Sequence, residues 1–326
     1  MKCIYKFISI LVFTSMVIAF PSCIMEYPDG DGVDPTSISV GITFATNSLM
    51  KENPLSRNST ESETSIYRFK AEFYEENFDG KPLFERVVYA KSASDCVATV
   101  RLNEELHALN YKISLWVEEV FSEGCESHIY DSSDLSAIKF RDGYVGGDPM
   151  KLCFSGIYSL DLREYANQKF AAIDKNYTVD MPVAMVSILA TDYQEFLETN
   201  SLENVDGYSV VWKYTSYLPV GFNAITQKPN AAEIGESFTS ILSGGNDEYI
   251  GLGTDYIFVN GGESHVVLDL TIINSDGEEV NAYQGLKLPI RKNRLTVIKG
   301  KYMTRNKTTG IGIDAGFDGE FNIVLP

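Results

Sequence analysis

The chain has 326 residues, 44% of them hydrophobic and 12% aromatic, enough to bury real cores and too apolar to stay disordered. A formal charge of −18 sets it against nucleic-acid phosphates and anionic headgroups, which argues against either as a partner. The length corresponds to roughly two domains.

Lys2 and Lys6 give the chain a positive start, and Phe7–Phe20 is an apolar or hydroxyl run without a charge. This is the form of a secretory signal, too short to span a bilayer comfortably. Cys23 directly follows the small Ser22, which resembles the lipobox of bacterial lipoproteins. Phe20 and Pro21 stand where a stricter lipobox has Leu and a small residue, and the competing reading is an ordinary signal with an incidental cysteine. The resemblance implies a signal over 1–22 and an acylated Cys23 at the mature N-terminus. The remaining 304 residues hold 25 basic and 45 acidic side chains. No later apolar run approaches the ~18 residues of a membrane-spanning helix, so lipid is the expected attachment.

Residues 23–36 form an acidic tether punctuated by Pro28, Gly30, Gly32 and Pro35. Asp29, Asp31 and Asp34 miss calcium-loop spacing because Val33 takes a ligand position and no bidentate Glu follows. Ile38, Val40, Ile42 and Phe44 then alternate with small or polar residues, as in a half-buried strand. The polar stretch 47–66 reads as loop. Tyr67, Phe69, Ala71 and Phe73 alternate with Arg68, Lys70 and Glu72, predicting a strand with a charged outer face. Further strands are predicted at 84–90, 96–102 and 111–118, the last with Tyr111, Ile113, Leu115 and Val117 inward and Trp116 outward. Residues 122–150 read as loop, and 158–172 as a short helix.

In the second half, Tyr177, Val179, Met181, Val183 and Met185 alternate, with Pro182 pointing to an edge or bulge. Thr191 and Gln194 fit a capping box for a helix over 192–200. Strands are predicted at 208–214, 237–242, 249–259, 265–273, 278–283, 286–290, 294–303 and 321–325. Trp212, amid Val210, Val211 and Tyr214, reads as core. Asn274-Ser275-Asp276-Gly277 is a hairpin signal, Asp-Gly supplying the positive φ. Short strands and turn residues throughout predict an all-β fold of two antiparallel sandwiches, 37–170 and 171–326, with one or two short helices.

Chemistry is harder to find. His107, His128 and His265 share no ligand spacing, and HExxH, GxSxG, P-loop and strand–GxGxxG–helix patterns are missing. No carboxylate pair, Glu118 and Glu119 included, stands out in so acidic a chain. Catalytic residues, metal and cofactor are therefore expected to be none. Cys96 alternates with Ala98, Val100 and Leu102 and reads as buried, which leaves Cys125 and Cys153 as the candidate disulfide. Lys287, Arg291, Lys292, Arg294, Lys299, Lys301, Arg305 and Lys307 make one segment strongly basic, without an acid among them. It is either a solvated face and lysine-guarded edge or an electrostatic contact with a neighbouring subunit. Lys299 and Lys301 share a parity and so one face.

The C-terminal half carries a family resemblance. Met181-Pro182-Val183-Ala184-Met185 with Ala190-Thr191-Asp192, Tyr217–Asn223, Leu252–Gly261, Pro289–Gly300 and Asp314–Ile323 are similar to fimbrillin-like Bacteroidales lipoproteins, a family of uncharacterised function related to fimbrial subunit, anchor and tip proteins. The resemblance implies two tandem transthyretin-like sandwiches, outer-membrane lipid attachment and a role in fimbria-type assembly or adhesion. Acids soon after Cys23 also resemble the surface-export signals of such lipoproteins. Fimbrillin subunits lose an N-terminal strand by cleavage after a basic residue, which makes Arg57 or Arg68 the candidate site here. Expected partners are the outer membrane, other fimbrial subunits and a host or glycan ligand. The alternative function is glycan capture for nutrient uptake, with Trp116 as an exposed contact.

Overall fold

A computed structural model describes residues 37–47, 65–93, 97–166, 168, 170–242, 248–304 and, as backbone, 317–324. The first half runs β1 (Ile38–Thr46), β2 (Ile66–Glu75), β3 (Phe84–Lys91), β4 (Thr99–Leu106), β5 (Asn110–Val120), β6 (Tyr130–Asp131), β7 (Ile138–Phe140), β8 (Cys153–Asp161) and β9 (Ala171–Val179). The second runs β10 (Val183–Ala190), helix α1 (Tyr193–Asn200), β11 (Ser209–Tyr214), β12 (Leu218–Asn223), β13 (Lys228–Glu233), β14 (Ser237–Ile241), β15 (Ile250–Phe258), β16 (Glu263–Ile273), β17 (Glu279–Arg291), β18 (Arg294–Gly300) and β19 (Phe317–Val324). The fold is all-β.

Each half builds a sandwich on the same plan. Sheet β4-β1-β9 packs on β3-β2-β5-β8, and sheet β15-β10-β18-β19 packs on β14-β11-β16-β17. The pairing is antiparallel except at one place in each half, where the first strand runs parallel to a late one: β1 with β9, β10 with β18. A fifth sheet, β13-β12-β7-β6, joins the halves, because β12 pairs with β7.

The period-2 pattern of β1 is realised: Ile38, Val40, Ile42 and Phe44 are all fully buried. On β10 the pattern is denser, with all eight residues buried. Its odd positions Val183, Met185 and Leu189 join the core of the first half, while Ala184, Val186, Ile188 and Ala190 join that of the second. A strand covered on both faces has no reason to alternate. The molecule is therefore layered through β10, and the first core continues into the second half.

Several expectations need correction. The sheets do not divide at 170/171, because β9 pairs along its whole length with β1. Residues 158–172 are not a helix: Tyr158–Asp161 ends β8, a 3₁₀ turn covers Arg163–Tyr165, and β9 follows. Asp161 stops the chain there by accepting the Arg163 amide at 3.1 Å. The presumed loop 122–150 contains β6 and β7 and buries Tyr130, Leu135 and Ile138. The capping box does not form, since the residue before α1, Asp192, turns its carboxylate elsewhere. It accepts the backbone N–H groups of Tyr302, Met303 and Thr304 and the Thr304 hydroxyl, fastening the chain beyond β18. The strands predicted at 278–283 and 286–290 are one strand, β17. The hairpin at 274–277 forms as expected, with Gly277 at φ 82° and its N–H on the Asn274 carbonyl.

Candidate assembly surface and the junction between halves

β1 lies in the sheet β4-β1-β9. It is the middle strand of three, bonded on both sides, and no charged residue interrupts ISVGITFAT. Phe44 anchors its end, with ring centroids 5.5 Å from Tyr158 and 5.7 Å from Tyr177. Of the two candidate cleavage residues, Arg57 lies outside the described residues. Arg68 is on β2, buried, with Nη1 2.8 Å from Glu118 Oε1, which removes it as an accessible cleavage site. Its neighbours Lys70 and Glu72 are buried too, so the outer face of β2 is not solvated.

What covers that face also overturns the reading of Trp116. The indole is fully buried, and so cannot stack on a glycan at the surface. Its Nε1–H donates to Glu118 at 2.7 Å, and its ring packs edge-on against Tyr130 and beside Phe222 and Phe258. Residues from β6, β12 and β15 therefore meet on it, placing Trp116 at the junction of the halves. The Glu118 carboxylate also accepts from Ser132, and its burial pushes its pKa up despite these partners. Trp212 is core, as its sequence neighbours predict.

The basic segment splits by position. Lys287 and Arg291 are exposed on β17, a sheet edge that also carries Pro289, which discourages unwanted pairing. β18 is not an edge, because β10 and β19 flank it. Lys299 is half-buried, its Nζ 5.2 Å from the Tyr249 ring centroid. Lys301 lies just past the strand and pairs with Glu195 at 2.9 Å. Both partners of that pair are about half exposed, a setting in which ion pairs contribute little and exchange readily.

Of the cysteines, Cys125 is exposed and Cys153 buried, both free thiols, so the candidate disulfide is not formed. Cys96 and Cys23 lie outside the described residues. No helix among the described residues is long and apolar enough to cross a membrane.

Another buried ion pair, unlike that of Arg68 and Glu118, joins the two halves. Lys151, at the end of a 3₁₀ turn in the first half, reaches Asp255 on β15, with Nζ–Oδ1 2.6 Å and both side chains fully buried. Asp255 Oδ1 also accepts the N–H groups of Tyr256 at 2.8 Å and Gly147 at 3.2 Å. Its Oδ2 accepts the phenol hydroxyls of Tyr214, at 2.7 Å, and Tyr144. Burial lowers the Lys151 pKa and raises those of both tyrosines. Lys151 reads in sequence as an ordinary loop lysine, and nothing local marks it as buried.

Comparison with solved structures finds distant likeness. A candidate adhesin from Bacteroides ovatus is 13% identical at a TM-score of 0.41, covering 80% of this chain and 90% of that one. A candidate cell adhesion protein from Parabacteroides distasonis is 10% identical at 0.48, covering 90% and 98%. The fimbrial anchor protein Mfa2 from Porphyromonas gingivalis is 11% identical at 0.38, covering 81% and 91%. A sequence search of curated proteins finds no match. Residues 35–326 match the family of unknown function DUF6562. The chain belongs to that family.

Proposed function

We propose that this protein is a lipid-anchored cell-surface protein that works by binding, as a fimbria-type subunit, anchor or tip component. The observation that carries the reading is β1, a wholly apolar-faced strand held in mid-sheet and followed by the segment containing Arg57. Release of such a strand leaves a slot with main-chain hydrogen-bonding groups on both sides and pockets for alternate side chains, which a partner's strand can fill. Cleaving the purified chain with an arginine-specific protease tests this. A ladder of detergent-resistant multimers is expected, and Arg57→Ala should prevent it. A chain that stays monomeric after cleavage at Arg57 rules the strand-exchange reading out.

Attachment is expected at Cys23. Two or three acyl chains bury methylenes at ~0.8 kcal/mol each, enough for stable anchoring without another contact. Cys23→Ala should move the protein out of the membrane fraction or leave an uncleaved precursor, and in both forms abolish labelling by a fatty-acid analogue. Full membrane partition of an unlabelled mutant, equal to wild type, would overturn the assignment.

Lys299 and Lys301 are proposed to meet an acidic neighbour during assembly, exchanging internal partners for external ones. Reversal of both to Glu should slow multimer formation, and added salt should slow the wild type in parallel, since steering acts over ~8 Å at physiological ionic strength. Assembly of the double mutant at the wild-type rate with the same salt response makes them a solvated face only.

A further inference from the structure

We propose that Lys151 and Asp255 join covalently, forming an intramolecular amide that ties the first half of the chain to β15. The two groups are already in contact distance, Nζ–Oδ1 2.6 Å, with the carboxyl carbon one bond further on. Amide formation needs Nζ and the carboxyl carbon at about 3–3.5 Å, and the contact already holds the two groups side by side.

The surroundings divide the labour of an acyl transfer between the two carboxylate oxygens. Oδ1 receives two backbone N–H groups, from Tyr256 and Gly147, a donor pair suited to an oxyanion. Gly147 presents its N–H from φ 74°, a conformation that a side chain disfavours. Oδ2 instead receives two phenol hydroxyls, from Tyr144 and Tyr214, which can protonate it for departure. Among the described residues Tyr144 touches both reactants, its hydroxyl also lying 3.4 Å from Lys151 Nζ. It can relay protons from nitrogen to the departing oxygen.

The atoms balance without a co-reactant. One ammonium proton passes through Tyr144 to Oδ2, leaving a neutral amine and a carboxylic acid. The amine nitrogen bonds to the carboxyl carbon, and negative charge collects on Oδ1 against the two N–H groups. A second proton follows the same path, the carbon–Oδ2 bond breaks, and Oδ2 leaves as water. The product amide keeps one N–H and Oδ1. Burial favours this direction, because two fully desolvated charges become one neutral group. Such a link would let a pulled surface protein bear load across the junction without parting its halves.

Tryptic mapping of the denatured full-length chain decides the matter. A blocked Lys151 resists trypsin, so peptide 142–163 should appear uncut, joined to the peptide bearing Asp255, and lighter than their sum by one water. Asp255→Ala should restore cleavage after Lys151. Tyr144→Phe should delay appearance of the joined peptide at least tenfold during refolding, while formation at the wild-type rate would overturn the relay. Recovery from wild type of separate peptides, one ending at Lys151 and one carrying an unmodified Asp255, would overturn the amide itself.

Discussion

Arg68→Ala is expected to lower the free energy of unfolding by about 3–5 kcal/mol, the cost of stranding a buried charge by removing its partner. Glu118 is fully buried, and without the arginine it keeps only two neutral donors, Trp116 Nε1 and Ser132 Oγ. Its pKa already stands above the ordinary carboxylate value through desolvation, and losing a cation raises it further. The pH dependence follows with a definite sign. Below the unfolded-state pKa the carboxyl is protonated in both states and the loss of Arg68 matters least. As pH rises through the folded-state pKa of the wild type toward the higher one of the variant, the penalty of Arg68→Ala grows. Combining Arg68→Met with Glu118→Gln removes both charges yet keeps an acceptor for the indole, so the double variant should recover most of the loss. Urea unfolding at two pH values reads all of this. A penalty under about 1 kcal/mol at neutral pH, the range of an exposed pair, would mean that Glu118 is not desolvated as the packing requires.

The same residues show where sequence reading stops. Alternation in β1, in the inward positions of β2 and β5, and the Asn274–Gly277 turn were all legible, because each depends on neighbours one to four residues away. The same alternation puts Arg68, Lys70, Glu72 and Trp116 on the outer face, and the structure buries that face. The outer face of β2 and β5 is covered by residues 127–140 and by Phe222 and Phe258, between roughly ten and 190 positions distant in the chain. Charge marks a solvated face only when nothing else folds over it, and here the charges arrive paired. The limit of the first sandwich was missed for a related reason: β9 finds β1 more than 120 residues upstream, in a parallel pairing that no turn announces. The capping box expected of Thr191 and Gln194 does not form, and Asp192, which stands at the helix start instead, spends its carboxylate on amides 110 residues later, again a tertiary partner outcompeting a local one. Of the candidate site, the apolar face of β1 was readable, whereas Lys151 with Asp255 was not. A lysine in GGDPMK carries no sign that its ammonium is sealed beside a carboxylate on another strand.

Phe44→Ala should destabilise the first sandwich by about 3–5 kcal/mol, since it removes a fully buried ring and leaves a cavity its neighbours fill only in part. The surviving rings, Tyr158 and Tyr177, are 4.4 Å apart and packed on each other, which limits their collapse into the space. The backbone of β1 remains bonded to β4 and β9, so the effect should be local before it is global. Amide exchange is expected to quicken first in β1, β4 and β9, by a factor that grows tenfold for each 1.4 kcal/mol lost locally. The β11–β16 pair, in the core on the far side of β10, should change least. This pattern bears on assembly as well as stability. If β1 is the strand given up to a partner, weakening its anchor should raise the rate of multimer formation after cleavage at Arg57 while lowering the stability of the uncleaved chain. The two readouts then move in opposite directions. A variant whose exchange rises equally in both sandwiches, or whose multimers form more slowly, would show that β1 is an ordinary core strand and not one poised to leave.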